Sequence, residues 1–199
     1  MSSASRVAPR ARGSRLRVLH VGKFYAPHRG GMETHLQVLC ERLRESVDLA
    51  VVVASLGRRT IRETVDGVPV TRVGTLFRLK GSSFSPALAR AIRDADADIV
   101  HVHHPNPAAM LAYLAARTRG QLVVSYHSDI VRQRVLGRLF APVLHHALGR
   151  SAAIVCASTH HVTTSRVLAT HGARCVVIPY GIPTGPLERC DYAAVTAIR

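Results

Sequence analysis

The apolar positions of this chain fall into short β-branched runs and longer runs with helical spacing, and the two kinds alternate. Leu16-Arg17-Val18-Leu19-His20-Val21 is short and stops at Gly22, which predicts a strand. From Met32 to Arg44 the apolar residues Met32, Leu36, Leu39 and Leu43 recur every three or four positions, as on one face of a helix. Leu49 to Ala54 is continuously apolar, as expected of a strand covered on both sides. Val68 to Val73 alternates after Asp66-Gly67 and predicts a strand entered from a tight turn. Helices are predicted from Pro86 to about Ala95, from Pro107 to Arg117 with Asn106 as N-cap, from about Arg132 to Gly149, and from Ser158 as cap to about Thr170. Between them lie the strands Ile99–Val102, Leu122–Tyr126, Ala153–Ala157 and Cys175–Ile178, the last stopped by Pro179. Such alternation with short connections predicts an α/β fold, a Rossmann-like, doubly wound and mostly parallel sheet with helices on both faces, over residues 16–180.

Composition narrows this picture. Apolar residues make up 47% and charged residues 20% of the 199, within the globular range, and no apolar run is long enough to span a membrane. The net charge is +15, and all but two of the 27 basic residues are arginine, the exceptions being Lys23 and Lys80. A field of that sign attracts anions. Aromatic residues are only 5%, however, and no nucleic-acid-binding motif occurs, so nucleic acid is not an expected partner. Residues 1–15 carry four arginines and no acid and lack both an apolar core segment and helical periodicity; a disordered basic tail is expected rather than a secretory signal. Cys40, Cys156, Cys175 and Cys190 are widely spaced, which argues against a thiolate zinc site and for a reduced, cytoplasmic chain.

In an open α/β sheet, ligands bind beyond the carboxyl ends of the strands, so the residues that follow each strand carry the chemical information. After the first strand the chain reads Gly22 to Glu33 without G-x-G-x-x-G, which argues against a nicotinamide or flavin site. It does place Gly30-Gly31 directly before a helix, where a backbone without Cβ atoms and free amides can approach an anion. After Ile99 comes His101-Val102-His103-His104, with His101 and His103 on one face. Neither carboxylate nor cysteine lies near in sequence to complete a metal site, and polar lining of a cleft is the expected role. After the next strand stands His127-Ser128-Asp129, with His127 where a catalytic or substrate-binding imidazole would sit. Without a G-x-S-x-G elbow these residues do not read as a hydrolase triad. His145-His146 and His160-His161 are adjacent on helices, where neighbours diverge by about 100°, and neither pair can chelate well. The basic amphipathic stretch Ile130–Leu148 is read as a helix packed on the sheet with a solvated arginine face, with peripheral contact to anionic membrane as the alternative.

Four segments in this order, Gly30-Gly31-Met32-Glu33-Thr34-His35, Asp98 to Pro105, Tyr126 to Gln133 and Val177 to Ile182, resemble the N-terminal domain of GT-B glycosyltransferases of family 4. The resemblance covers residues 16–182. It implies the acceptor-binding half of a retaining, nucleotide-sugar-dependent transferase, hexosyl- or mannosyl-, in glycolipid or surface-polysaccharide synthesis, with neither cofactor nor metal. Gly30, Gly31 and Glu33 would then face the donor phosphates and the acceptor. His127 would be the catalytic histidine that contacts the transferred sugar, with Tyr25, His101, His103, Ser128 and Asp129 lining the cleft. The family's donor-binding domain with its E-x7-E segment has no counterpart before Arg199, and residues 181–199 read as an interdomain linker and the start of that domain. The resemblance thus implies that the isolated chain is inactive, its donor half being absent or supplied in trans. It also implies a cytoplasmic enzyme, peripheral at most to the inner face of the plasma membrane. The competing readings are a non-catalytic remnant or in-trans partner of a transferase and, on charge alone, a nucleic-acid-binding module.

Overall fold

The computed structural model describes residues 15–79, 82–130, 134–181 and 184; the basic tail, most of the 181–199 linker and Cys190 lie outside them. Among the described residues ten strands and six α-helices follow in chain order: β1 Arg17–Val21, α1 Gly31–Leu43, β2 Asp48–Ala54, β3 Ile61–Val65, β4 Val68–Val73, β5 Phe77–Leu79, β6 Ser82–Phe84 and α2 Pro86–Asp94. Then come β7 Ile99–His104, α3 Pro107–Ala116, β8 Gln121–Tyr126, α4 Arg134–Arg150, β9 Ala153–Cys156, α5 Thr159–Thr164, α6 Arg166–Thr170 and β10 Cys175–Val177. Eight strands form one sheet in the order β10-β9-β8-β7-β1-β2-β4-β3, parallel except for β3, while β5 and β6 make a separate hairpin. The expected Rossmann-like, doubly wound sheet is therefore present.

Local chemistry explains most boundaries. Asn106 starts α3 by accepting the Ala109 amide at 3.1 Å, with Pro107 at the first position, and Ser158 caps α5 from the His161 amide at 3.2 Å. The helix expected from Ser158 to Thr170 is two helices. Ser165 is extended between them and opens α6 with its own side-chain cap on Leu168. Asp66 and Gly67 both have positive φ, 51° and 78°, the geometry of a two-residue hairpin turn, and join β4 to the unforeseen edge strand β3.

Alternation along each strand divides the apolar residues into two cores. Leu19, Val21, Val100, Val102, Leu122 and Val124 face α2, α3 and α4, whose Ile92, Met110, Phe140, Leu144 and Leu148 complete the larger one. Val18, Val51, Val53 and Val70 face α1 and meet Leu36 and Cys40. In α4, Phe140, Leu144, Ala147 and Leu148 are buried while Arg138 and Leu139 are exposed, so this helix packs on the sheet as expected. No helix among the described residues is long and apolar enough to cross a membrane.

Candidate functional site

The sheet grows outward in both directions from the β1–β7 pair: β2 and β4 lie to one side, β8, β9 and β10 to the other. That switch point opens a crevice at the carboxyl ends of the strands. On the α1 side it is lined by histidines. His20 stands opposite His101 in the β1–β7 register, and His103 opposite Ser125 in the β7–β8 register. The two-residue period that sends Leu19, Val21, Val100 and Val102 into the larger core sends His20, His101 and His103 to the other face. Helix α1 adds His35 from its second turn, and His127 follows directly on β8.

These side chains form a connected line. His20 Nδ1 is 3.2 Å from His103 Nε2, His103 Nδ1 is 3.1 Å from His127 Nε2, and His127 Nδ1 is 2.7 Å from the Tyr180 hydroxyl. His101 Nε2 meets Ser125 Oγ at 2.8 Å, and its ring stacks on His103 at 4.8 Å. His35 presents an edge to His127 at 5.2 Å and lies 4.5 Å from the Tyr180 ring. Burial lowers the pKa of every member, and repulsion from neighbouring imidazoles adds to it at all but His35: His101 and His127 fall to about 4, and His20, His35 and His103 also lie below the ordinary imidazole range. At neutral pH the imidazoles are therefore uncharged, each with one N–H and one lone pair. The line can run in either direction, and in both the inner nitrogen, His20 Nε2, is buried without a partner among the described residues. Such a line offers hydrogen bonds to hydroxyl groups rather than a charge; with a pKa near 4, His127 holds no proton to release as an acid at neutral pH beyond its ring N–H.

At the mouth of α1 the two glycines differ. Gly30 is the N-cap, in extended backbone, and a Cβ there would collide with the carboxylate of Glu33, which turns back from the first helical turn and is buried. Gly31 faces open space. No side chain caps this 13-residue helix, so its amide end keeps a partial positive charge with Glu33 beside it. An approaching ligand therefore meets amide donors and a carboxylate together, a pair suited to hydroxyls as well as anions.

Two of the residues expected to line the cleft, Tyr25 and Asp129, have other placements. Tyr25 is a correction: its side chain is fully buried and packs under α1 with Leu36 and Cys40, because the loop after β1 turns the ring inward. Asp129 accepts from the Tyr126 hydroxyl at 2.6 Å and from Ser165 Oγ at 2.8 Å, which braces the end of β8 against the start of α6. Ser128 is exposed beside His127. His101, His103 and His127 come together, with the His103 side chain buried between the other two rings. His104 instead faces the larger core side, stacked on Tyr126 at 4.6 Å. The sequence reading missed His20, His35 and Tyr180. His20 lies on a different strand from His101, and nothing local joined it to β7, to α1 or to the Pro179-Tyr180 segment. A second cavity of about 670 Å3 adjoins the ends of β1, β2 and β4. Phe24, His28, Leu56 and three arginines line it; Arg58 and Arg59 are exposed, while Arg72 bonds Glu63 and the backbone oxygens of Tyr25 and Ala26.

Known proteins resemble this chain in sequence and in fold. O-antigen chain mannosyltransferase C of Escherichia coli is 34% identical over 172 residues, covering 84% of this chain and 46% of that protein. D-rhamnosyltransferase WbpZ of Pseudomonas aeruginosa is 33% identical over 171 residues, with 84% and 45% covered. This chain thus spans about half the length of the curated relatives it matches. The solved structure of Anabaena Alr3699/HepE in complex with UDP-glucose superposes with a TM-score of 0.65 at 16% identity, covering 93% of this chain and 49% of that one, a likeness of fold. The model of Glycosyltransferase Family 4 matches residues 29–185, from the loop before α1 to beyond β10, and the chain belongs to that family.

Proposed function

We propose that this chain is the acceptor-side half of a retaining glycosyltransferase that moves a hexose, mannose in the leading case, from a nucleotide sugar to a lipid- or glycan-linked acceptor. The observation that carries this reading is the convergence of the α1 mouth and the His20–His103–His127–Tyr180 line on the switch-point crevice of a family 4 domain. Two relatives are named as mannosyl- and rhamnosyltransferases, and the Anabaena structure holds UDP-glucose. In those proteins about half the length lies outside the region matched here, and on this reading that other half supplies the donor-binding domain.

The chemistry assigned to this half is positioning. His103 holds the neutral His127 ring through Nε2, and a sugar hydroxyl takes the place of the Tyr180 hydroxyl at His127 Nδ1. With the ring fixed through Nε2, the bond from Nδ1 to the sugar strengthens as charge develops in transfer. The amides of Gly31 and its successors face the donor phosphates, and the Glu33 carboxylate faces an acceptor or sugar hydroxyl. The cavity edged by Arg58 and Arg59 suits an anionic group on the acceptor. Exposed Arg138 and Leu139 on α4 suit peripheral contact with an anionic membrane surface on the cytoplasmic side. No step requires a metal.

The test is turnover by an enzyme that joins this half to a donor-binding half, in the presence of a chelator. His127→Ala should lower kcat about 100-fold with donor affinity nearly unchanged. Turnover equal to the parent would reject the role of His127. Absence of transfer by the joined parent with every nucleotide sugar tried would favour a non-catalytic partner.

A further inference from the structure

We propose that His35, His103 and His127 form a binding site for a divalent transition-metal ion of the zinc class, with the fourth position left to water. One nitrogen from each lies within 4.8 Å of the other two. Two nitrogens on one tetrahedral ion stand about 3.3 Å apart, given metal–nitrogen bonds of roughly 2.0–2.1 Å. His103 Nδ1 and His127 Nε2 are already 3.1 Å apart. His35, half-buried on α1, is the ligand that must draw in, and a side-chain rotation on a helix surface suffices.

The outer contacts are those a metal-bound imidazole needs. A ligating histidine donates its remote N–H to a neighbour, which fixes the tautomer and aims the lone pair at the ion. The remote nitrogen of His103 faces His20 Nδ1 at 3.2 Å, and that of His127 faces the Tyr180 hydroxyl at 2.7 Å. Both acceptors are in place without the ion. The three ligands bind as neutral imidazoles, so no proton need leave the cluster. Imidazole sets favour zinc, nickel and copper over magnesium or calcium.

A second triad, His20, His101 and His103, is equally compact. There, however, His20 and His103 are buried and His101 Nε2 is engaged by Ser125, so an ion has no open path and one ligand is committed. The outer triad has two partly exposed members and therefore an entry route. Since His127 belongs to both sites, an ion and a sugar would exclude each other there. That consequence rests on the transferase reading, whereas ion binding does not.

The experiment uses the full chain, untagged and stripped of metal, titrated with Co2+ and followed by visible absorption, then displaced with Zn2+. One ion per chain with the intense bands of tetrahedral cobalt is expected. His35→Gln and His127→Gln should each weaken binding at least about 10-fold while far-ultraviolet circular dichroism stays that of the parent. Zinc should also raise the thermal midpoint of the parent and not that of the His35→Gln variant. His145→Gln, which breaks the separate His145–His171 pair, should bind as the parent does. The proposal is overturned by weak octahedral cobalt spectra, by unaltered affinity in the His35 and His127 variants, or by loss of binding in His101→Gln with His35→Gln unaffected.

Discussion

The two faces of one strand pair, β1 and β7, are built on opposite principles. On one face Leu19, Val21, Val100 and Val102 are buried against α2, α3 and α4, with His104 at the end of β7 as the polar exception. On the other, the same strands bury His20, His101 and His103 in a line that leads to the surface at His127 and Tyr180. Both faces are covered, but only the first gains from being so. An aliphatic side chain stabilises by leaving water, whereas a buried imidazole must recover its lost hydration from partners, and His20 Nε2 finds none among the described residues. The histidine face is a place where stability has been traded for a preformed set of hydrogen-bonding and ligating atoms.

The largest expected effect is that of acid on the buried histidines, His101 on the histidine face and His104 at the end of the apolar one. In the metal-free protein, His101 and His104 have pKa values lowered to about 4, chiefly by burial. Around His101 stand His127 and His35, which add to the lowering; around His104 stands Asp129, which opposes it, and His127, which adds to it. The unfolded chain takes up protons near pH 6.5 and the folded chain not until about 4, so stability is full above 6.5 and is lost as pH falls toward 4. At pH 5 the two groups together cost on the order of 4 kcal/mol. Urea midpoints in chelator at pH 7.5 and pH 5 check this, and equal midpoints would mean that the cluster is solvated.

Truncation on the apolar face comes next. Leu19→Ala should cost about 2–5 kcal/mol, because the site is fully buried on a sheet that cannot collapse around it. On the histidine face, the double substitution His20→Leu and His103→Leu should change stability by less than about 1 kcal/mol, since both partners of the buried hydrogen bond are exchanged for apolar groups of similar size and the partner lost by His127 is lost at a partly exposed ring. Denaturant unfolding of the two variants side by side tests the comparison directly; a loss for the double variant as large as that for Leu19→Ala would make the histidines structural. The smallest expected effect lies at the brace between β8 and α6. Ser165→Ala removes both the cap on Leu168 and the contact with Asp129, for about 1 kcal/mol. Hydrogen exchange should show α6 loosened with the β1–β7 centre unaltered.

Much of this was legible in the chain. The strands β1, β2, β7 and β8 announce themselves by β-branched apolar runs, and Asn106 and Ser158 mark helix starts because an N-cap acts on amides three residues away. What was missed has specific causes. β3, Ile61-Arg62-Glu63-Thr64-Val65, is an exposed edge strand, so burial imposed no pattern on it, although Asp66-Gly67 signalled the hairpin it belongs to. The break at Ser165 was hidden because the apolar spacing continues through it. Tyr25, placed on a loop, looked like cleft lining, and only the path of that loop sends its ring into the core.

By itself the sequence determined the alternation of strand and helix, the crevice side of the sheet, the family, and the candidacy of His101, His103 and His127, because each of these rests on local periodicity, caps or ordered motifs. Only the tertiary structure decided that His20, His35 and Tyr180 join them, bringing together residues up to 160 positions apart. The physical reason is that parallel strands meet through long crossovers. Which side chains share a crevice depends on strand order and on register, and neither is written in any single stretch of the chain.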